Sequence, residues 1–537
     1  MPVDPDWFYG RRTMKQNRRM DLVWSILAGI GLGLVLARLD GQGNGWRGWL
    51  AFSLLSSLGW IILVAAWRWA GSQRWLGLLL LLAFSLRLGI GVSLSFILPE
   101  SGYVTEVQKA GYNSVDAYNR DMQAWELASS DSPILDAFDK SYAIDQYGGL
   151  EALSALVYRY LSPDAHRPWL VILMAAVVAA LGVAFFWNAV RFAWNERLAW
   201  LAAWMFALYP ESLWLGSSQM REPFLMTFIG VVLWGAVAWQ LDDDHKGWLW
   251  LAAGLAGLLF FSPGVAIYLI VILAGWIWLK KKHLKIPWRG VALAAGVFGL
   301  GLLLLWVALR RGTFAEASFL ETLTGWFKLS VKWDVYQLER DSGTIQYLFR
   351  NVLSPKLKLP FIFVYGLLQP VLPAAIFDPS TWIWQTVGIL RSLGWYLLLP
   401  LLVFSLITIL KSSVEDQKFT WLWFFVITWL WISISSLRAG GDQWDNPRYR
   451  VIFLIFQVLL AAKAWLYYQE SRNPWFTRIV LIELVFTLLF VDWYATRFFP
   501  FIPRFSFTVM VLLIVSLAAI IVLGGWLLDR RKLKPIK

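Results

Sequence analysis

The stretch "LLLLLAFSLRLGIGV" (residues 78–92) places one arginine inside an apolar run that extends over 76–99. A membrane-spanning helix needs about 20 apolar residues, so this run is long enough to cross. Charge at bilayer depth is costly and is normally turned toward a protein interior or a cavity, with a partner. Arg87 therefore reads as the inward face of one helix in a bundle. Composition agrees: of 537 residues 58% are hydrophobic and 15% charged, against about 25% charged in a soluble chain, and the mean hydropathy is +0.57. The fold class read from the sequence is an all-α polytopic membrane protein.

Working outward from this run, comparable apolar segments fall at 22–39, 49–67, 168–190, 198–213, 224–240, 248–262, 264–279, 290–309, 389–410, 421–437, 451–469, 479–495 and 508–528. With 76–99 they predict about 14 transmembrane helices. Basic residues gather on the cytoplasmic side of such proteins. Arg11, Arg12, Lys15, Arg18 and Arg19 thus place the N-terminus inside. Alternate turns then hold Arg68 and Arg74, Arg191 and Arg197, Lys280 to Lys282, Lys411 and Lys418, and Arg472 and Arg478, and the tail "DRRKLKPIK" also falls inside. This bias accounts for the net charge of +13 without nucleic acid. No cleavable signal pattern is read, and the first span is expected to be retained. Many of the 37 tryptophans suit membrane interfaces. Cysteine is absent, which excludes disulfides, thiolate metal sites and cysteine nucleophiles.

The segment "LPFIFVYGLLQPVLPAAI" (359–376) is apolar but contains Pro360, Pro370 and Pro373. Reading it as a span would invert everything after it. It is expected to be an interfacial or re-entrant piece, whose broken backbone needs protein or water around it. The chain then divides into 1–75, a basic N-terminus and two extra spans; 76–309, a transmembrane core with a first external loop, 100–167; 310–388, a second external loop; and 389–537, the C-terminal spans.

The external pieces hold the candidate chemistry. The first loop is acidic, with Asp116, Asp121, Glu126, Asp131, Asp136, Asp139 and Asp145. Val115, Tyr118, Met122, Trp125 and Leu127 approximate helical spacing, which predicts an amphipathic helix at the membrane surface with Asp116 at its favourable N-terminal end. The second loop is basic, with Arg310, Arg311, Lys328, Lys332, Arg340, Arg350, Lys356 and Lys358. Cations of this kind bind phosphate or anionic headgroups. "YPESLWLGSSQMREPF" contributes Glu211, Arg221 and Glu222, and "GGDQWDNPRYRV" contributes Asp442, Asp445, Arg448 and Arg450. Solvation, helix capping and snorkelling at helix ends explain any one of these charges taken singly.

Taken in order, "LLLLLAFSLRLGI", "DAYNRDMQAWELA", "YGGLEALSALVYRYL", "ALYPESLWLGSSQMREPFL" and "DNPRYRVIFLIF" resemble the membrane-embedded GT-C glycosyltransferases. The likeness is to bacterial relatives of the dolichyl-phosphate-mannose–protein mannosyltransferases, over roughly residues 76 to 470. Those enzymes have an arginine in the helix before the loop, then an acid followed by Tyr, Ala and Leu at helical spacing. Asp116, Ala124 and Leu127 match, while Arg120 stands at the tyrosine position with Tyr118 nearby. The resemblance implies inverting transfer of a sugar from a polyprenyl-phosphate donor to a hydroxyl of a glycan, lipid or protein acceptor. It implies an active site on the outer face of a bacterial plasma membrane. A phosphate leaving group needs positive charge rather than a second carboxylic acid. The expected roles are Asp116 and Asp121 as catalytic acids, with Asp116 the base; Arg221, Arg448 and Arg450 at the donor phosphate; and Arg87, Glu222 and Asp445 in support. No cofactor is required; a divalent cation, known in some relatives, would find oxygen ligands in Asp116, Asp121 and Glu222. The alternatives are a transporter or flippase of lipid-linked glycans and an O-antigen ligase or polymerase, which shares such donors.

Overall fold

A computed structural model describes residues 18–138, 148–242, 245–280, 318, 321, 347–411, 415–438, 442–499, 501 and 506–532. The candidate span 290–309, most of the basic segment after it, Asp139, Asp145 and the N-terminal cations before Arg18 lie outside these residues. Among the described residues the chain is helical, with no strand. In order the helices are α1 (Arg18–Asp40), α2 (Gly45–Trp69), α3 (Arg74–Ser101), α4 (Glu106–Lys109), α5 (Val115–Ser129), α6 (Gly149–Leu161), α7 (Trp169–Ala193), α8 (Glu196–Leu208), α9 (Pro210–Gly216), α10 (Glu222–Asp242), α11 (His245–Phe261) and α12 (Pro263–Lys280). They continue with α13 (Pro355–Leu368), α14 (Leu372–Phe377), α15 (Trp382–Leu410), α16 (Glu415–Arg438), α17 (Asp445–Val451), α18 (Leu454–Ser471), α19 (Pro474–Ala495) and α20 (Phe507–Lys532).

Among the described residues nine helices are long and apolar enough to cross a membrane, or ten if α17 and α18, bent by 75° at their junction, form one span. This is the architecture of an integral membrane protein. The expected count of 14 includes 290–309, which lies outside the described residues. The segment 198–213 is not one span: Pro210 opens a new helix and divides it into α8 and α9. Proline lacks the N–H that continues a helix but suits a first turn. Pro263 likewise separates α11 from α12, which are short for a span. α7 is enclosed along most of its length, whereas α19 and α20 are covered along almost none and present their apolar sides outward.

The chain forms two compact units. The first comprises Met1–Pro99, Thr105–Asn188 and Leu213–Thr227; the second comprises Glu100–Val104, Ala189–Ser212 and Phe228–Lys537. In the first, α1 and α2 form a hairpin of very close approach. A Cβ at Gly29 would lie 2.3 Å from the Ser57 hydroxyl, and one at Gly33 would lie 2.4 Å from that of Ser53. Small residues one turn apart let helices meet backbone to backbone. Arg68 pairs with Asp21 at 2.7 Å at one end of this hairpin. At the other end Arg167 donates to the carbonyls of Gln42 and Asn44, at 2.9 and 3.3 Å, and pairs with Asp164 at 2.9 Å. The segment after α6 therefore sits beside the α1–α2 turn, as alternating spans require.

The second unit shows the same alternation. Arg197 meets Glu470 at 3.1 Å and Arg478 meets Asp529 at 2.7 Å, joining ends that the basic residues place on one side. The piece 359–376 is two helices, α13 and α14, interrupted at Gln369 and Pro370. The break is surrounded by protein, as a re-entrant piece demands. Four carbonyls at the end of α13 are met by side-chain donors: Gly366 by Asn446 at 2.8 Å, Leu367 by the Trp395 indole at 2.8 Å, Leu368 by Tyr396 at 3.5 Å, and Gln369 by Arg450 at 2.8 Å.

Two measurements test these contacts. Gly33→Leu is expected to cost about 1–3 kcal/mol through overpacking, seen as a lower thermal midpoint of the detergent-solubilised protein. Gly31→Leu, at a position where a Cβ meets nothing within 4 Å, is expected to be neutral. The second measurement concerns acid. The hydrogen bond from Arg167 holds the Asp164 carboxyl well below the usual carboxylate range. Its folded pKa lies below its unfolded one, so its contribution is complete above about pH 4 and is lost as pH falls further. Asp164→Asn is expected to be less stable at neutral pH and to lose less stability between about pH 5 and pH 2, followed by thermal unfolding across that range.

Candidate functional site

In the first unit the site is built on α5. Its N-cap is Ser114, whose hydroxyl accepts from the Ala117 N–H at 3.2 Å. Capping therefore does not explain Asp116, which stands in the first turn. The buried face of α5 is Ala117, Arg120, Asp121, Ala124, Leu127 and Ala128, which shares Leu127 with the apolar stripe read from the spacing. Val115 and Met122 are exposed. Small alanines turn inward because α6 packs closely there, through Ala152, Ala155 and Tyr158. Arg159 of α6 closes the far end of α5, donating to the carbonyls of Ala128, Ser130 and Ser132 at 3.2, 3.1 and 2.8 Å. A cation there satisfies the last carbonyls and complements the helix dipole.

Asp121 is fully enclosed and accepts three hydrogen bonds: from Tyr112 at 2.6 Å, from Tyr158 at 2.5 Å and from His166 Nε2 at 2.9 Å. Burial, followed by the neighbouring Asp121 charge, raises both phenols far above their ordinary range, so they remain donors. His166 in turn lies parallel to the Trp125 ring, 5.2 Å between centroids, with Tyr158 edge-on at 5.0 Å. Sequence reading selected Asp121 but missed Tyr112, Tyr158 and His166. His166 was the most accessible of these to sequence reading, since it is one of three histidines in the chain and sits in "SPDAHRPW" at the close of the acidic loop. No periodicity links it to an acid 45 residues earlier.

Asp116 keeps 46% of its side chain exposed and pairs with the buried Arg120 at 3.5 Å. Arg120 also points Nη1 at the Met220 sulfur, 3.3 Å away, and the Ser114 hydroxyl is 3.9 Å from the same atom. Met220 directly precedes Arg221 and Glu222, both buried, at the head of α10. The first unit thus gathers Asp116, Asp121, Arg221 and Glu222 about one loop. Arg87 is fully buried on α3; it donates to the Ala83 carbonyl at 2.9 Å, and a Cβ on Gly216 would lie 2.6 Å from its Nε.

The remaining candidates belong to the second unit. Arg450 is enclosed, donates to Gln369 and lies 3.4 Å over the Trp395 ring. Its expected place at a donor phosphate is thus occupied, in part, by the task of closing α13. Arg448 is buried, and Asp445, part-exposed, stands 3.4 Å from it. Arg391 on α15 and Glu211 on α9 also belong to this unit. They form an enclosed bidentate pair, 2.5 and 2.9 Å, and Arg391 also meets the Trp444 carbonyl at 3.2 Å and its ring at 4.4 Å.

Among the described residues no three His, Asp or Glu side chains converge as metal ligands. Asp121 already accepts from three donors, so the cation admitted by the sequence does not fit there, and no step is routed through one.

Removing one member of a buried pair leaves an uncompensated charge and costs about 3–5 kcal/mol, while removing both costs far less. Glu211→Met is therefore expected to lower the thermal midpoint sharply, and Glu211→Met with Arg391→Met to recover most of the loss, measured on the solubilised protein. The chain matches no protein-family model, and no curated protein matches it.

Proposed function

We propose that the chain is a GT-C-type glycosyltransferase that moves a sugar from a polyprenyl-phosphate donor to an acceptor hydroxyl at the extracytoplasmic face of a bacterial plasma membrane. The observation that carries this reading is the placement of Asp116: a half-exposed carboxylate, paired with the buried Arg120, on the loop end where Arg221 and Glu222 begin a span. Asp116 is open to water, and the Arg120 guanidinium stands beside it.

In this reading Asp116, rather than the enclosed Asp121, is the base. It takes the proton of the acceptor hydroxyl as the acceptor oxygen bonds to the anomeric carbon. The bond from that carbon to the phosphate oxygen breaks, and the electron pair leaves with polyprenyl phosphate. Arg120 orients Asp116. Arg221, in the same unit, is the donor-phosphate cation. Fixed guanidinium groups stabilise charge that develops on the leaving phosphate. Asp121 positions α5 through its three donors.

The test is release of polyprenyl phosphate from a panel of polyprenyl-phosphate sugars by the full-length protein in proteoliposomes. Asp116→Asn is expected to reduce release by about a hundredfold or more, within the range of general-base catalysis, with undiminished folded protein in the membrane. Full activity of that variant would remove Asp116 from the role. Passage of the intact lipid-linked sugar across the vesicle without cleavage would replace the transferase by a transporter, and a product with its donor diphosphate cleaved would favour a ligase or polymerase.

A further inference from the structure

We infer that the solvent-facing side of α5 is a carbohydrate-binding subsite for a neutral oligosaccharide, with Trp125 as its stacking platform. An open depression of about 550 Å³ lies there, lined by Asn119, Met122, Gln123, Trp125, Glu126, Ser129 and Ser130. These recur every three or four residues and so share one side of the helix, opposite the alanines packed on α6.

The lining has the chemistry that a sugar presents. A pyranose offers a patch of C–H groups on a face and hydroxyls around its edge. An indole supplies a flat apolar surface with a polar tip, and amides, hydroxyls and a carboxylate supply donors and acceptors within reach of the edge. The indole is fixed in place. His166 stacks parallel to it at 5.2 Å and Tyr158 meets it edge-on at 5.9 Å, and both of these are held by Asp121. A platform ordered before binding loses less entropy on binding. The volume lies within the usual span of ligand sites, but the depression is open, which suits a chain lying across it rather than a small molecule enclosed in it.

Charge selects among ligands. Glu126 stands on the rim and is exposed, and no lysine or arginine is among the described lining residues. Anionic headgroups and phosphorylated lipids need cations, so this surface disfavours them and favours an uncharged glycan. That the glycan is the acceptor rests on the transferase reading; that it binds does not.

The experiment titrates the full-length protein in nanodiscs with mannotetraose and with the N-acetylglucosamine tetramer, without donor, by calorimetry. At least one probe is expected to bind saturably. Trp125→Ala is expected to weaken it by about tenfold or more, as loss of a central aromatic contact does, and Trp125→Phe by less. Asn119→Ala and Glu126→Ala, which leave the His166 and Tyr158 contacts untouched, are expected to weaken it as well. Absence of saturable binding by both probes, equal affinity in all variants, or binding that follows the anionic lipid content of the disc overturns the subsite. Sugar binding without release of polyprenyl phosphate from any donor keeps the subsite and removes the transferase; release without sugar binding does the reverse.

Discussion

A chain dissolved in lipid must satisfy its own backbone, because no water is present to do it. In this protein arginines are prominent among the side chains that meet that demand. Arg87 donates to Ala83, Arg159 to three carbonyls at the end of α5, Arg167 to the α1–α2 turn, Arg391 to Trp444 and Arg450 to the end of α13. The guanidinium suits this work, since it carries five donors in a fixed plane and stays charged. Where the helices break or turn, a buried cation closes them. The interrupted α13–α14 pair is the plainest case: without Asn446, Trp395, Tyr396 and Arg450, the last carbonyls of α13 would be stranded in an apolar setting.

This constraint bears directly on function. Arginines at the loop ends of a membrane protein invite a phosphate. Within each unit the geometry divides them by task. Arg450 and Arg391 are engaged with backbone and with Glu211, and Arg159 and Arg167 hold loops. Arg120 and Arg221 sit with Asp116 near Met220, and Arg448 sits beside the part-exposed Asp445. The proposed chemistry therefore rests on fewer cations than a count of the sequence suggests, and on one accessible carboxylate rather than two.

Much of the architecture was legible in the sequence because its signals are long. An apolar run of twenty residues or more survives any local detail, and basic residues at alternate turns gave an expected order of the ends. Asp21 with Arg68, Glu470 with Arg197 and Asp529 with Arg478 each join ends expected on one side. The interruption of 359–376 was legible from its prolines. Shorter signals said less. In α5 the spacing marked a helix, but not that its enclosed side would be mostly alanine packed on α6. Asp121 looked like a catalytic acid because its partners, Tyr112, Tyr158 and His166, come together only when the loop folds back on itself. Pro210 stopped a span that hydropathy alone would have continued.

The clasp on the first hairpin has a consequence for how the protein is made. Arg167 reaches Gln42 across 125 residues of chain. At a synthesis rate of about 5–20 residues per second, the ribosome needs about 6–25 seconds to travel that distance. The α1–α2 hairpin can close early through its glycines, but its tip stays unlatched through that interval. Any factor that attends this protein during insertion meets the hairpin in that open state, and the latch falls only after α6 has emerged.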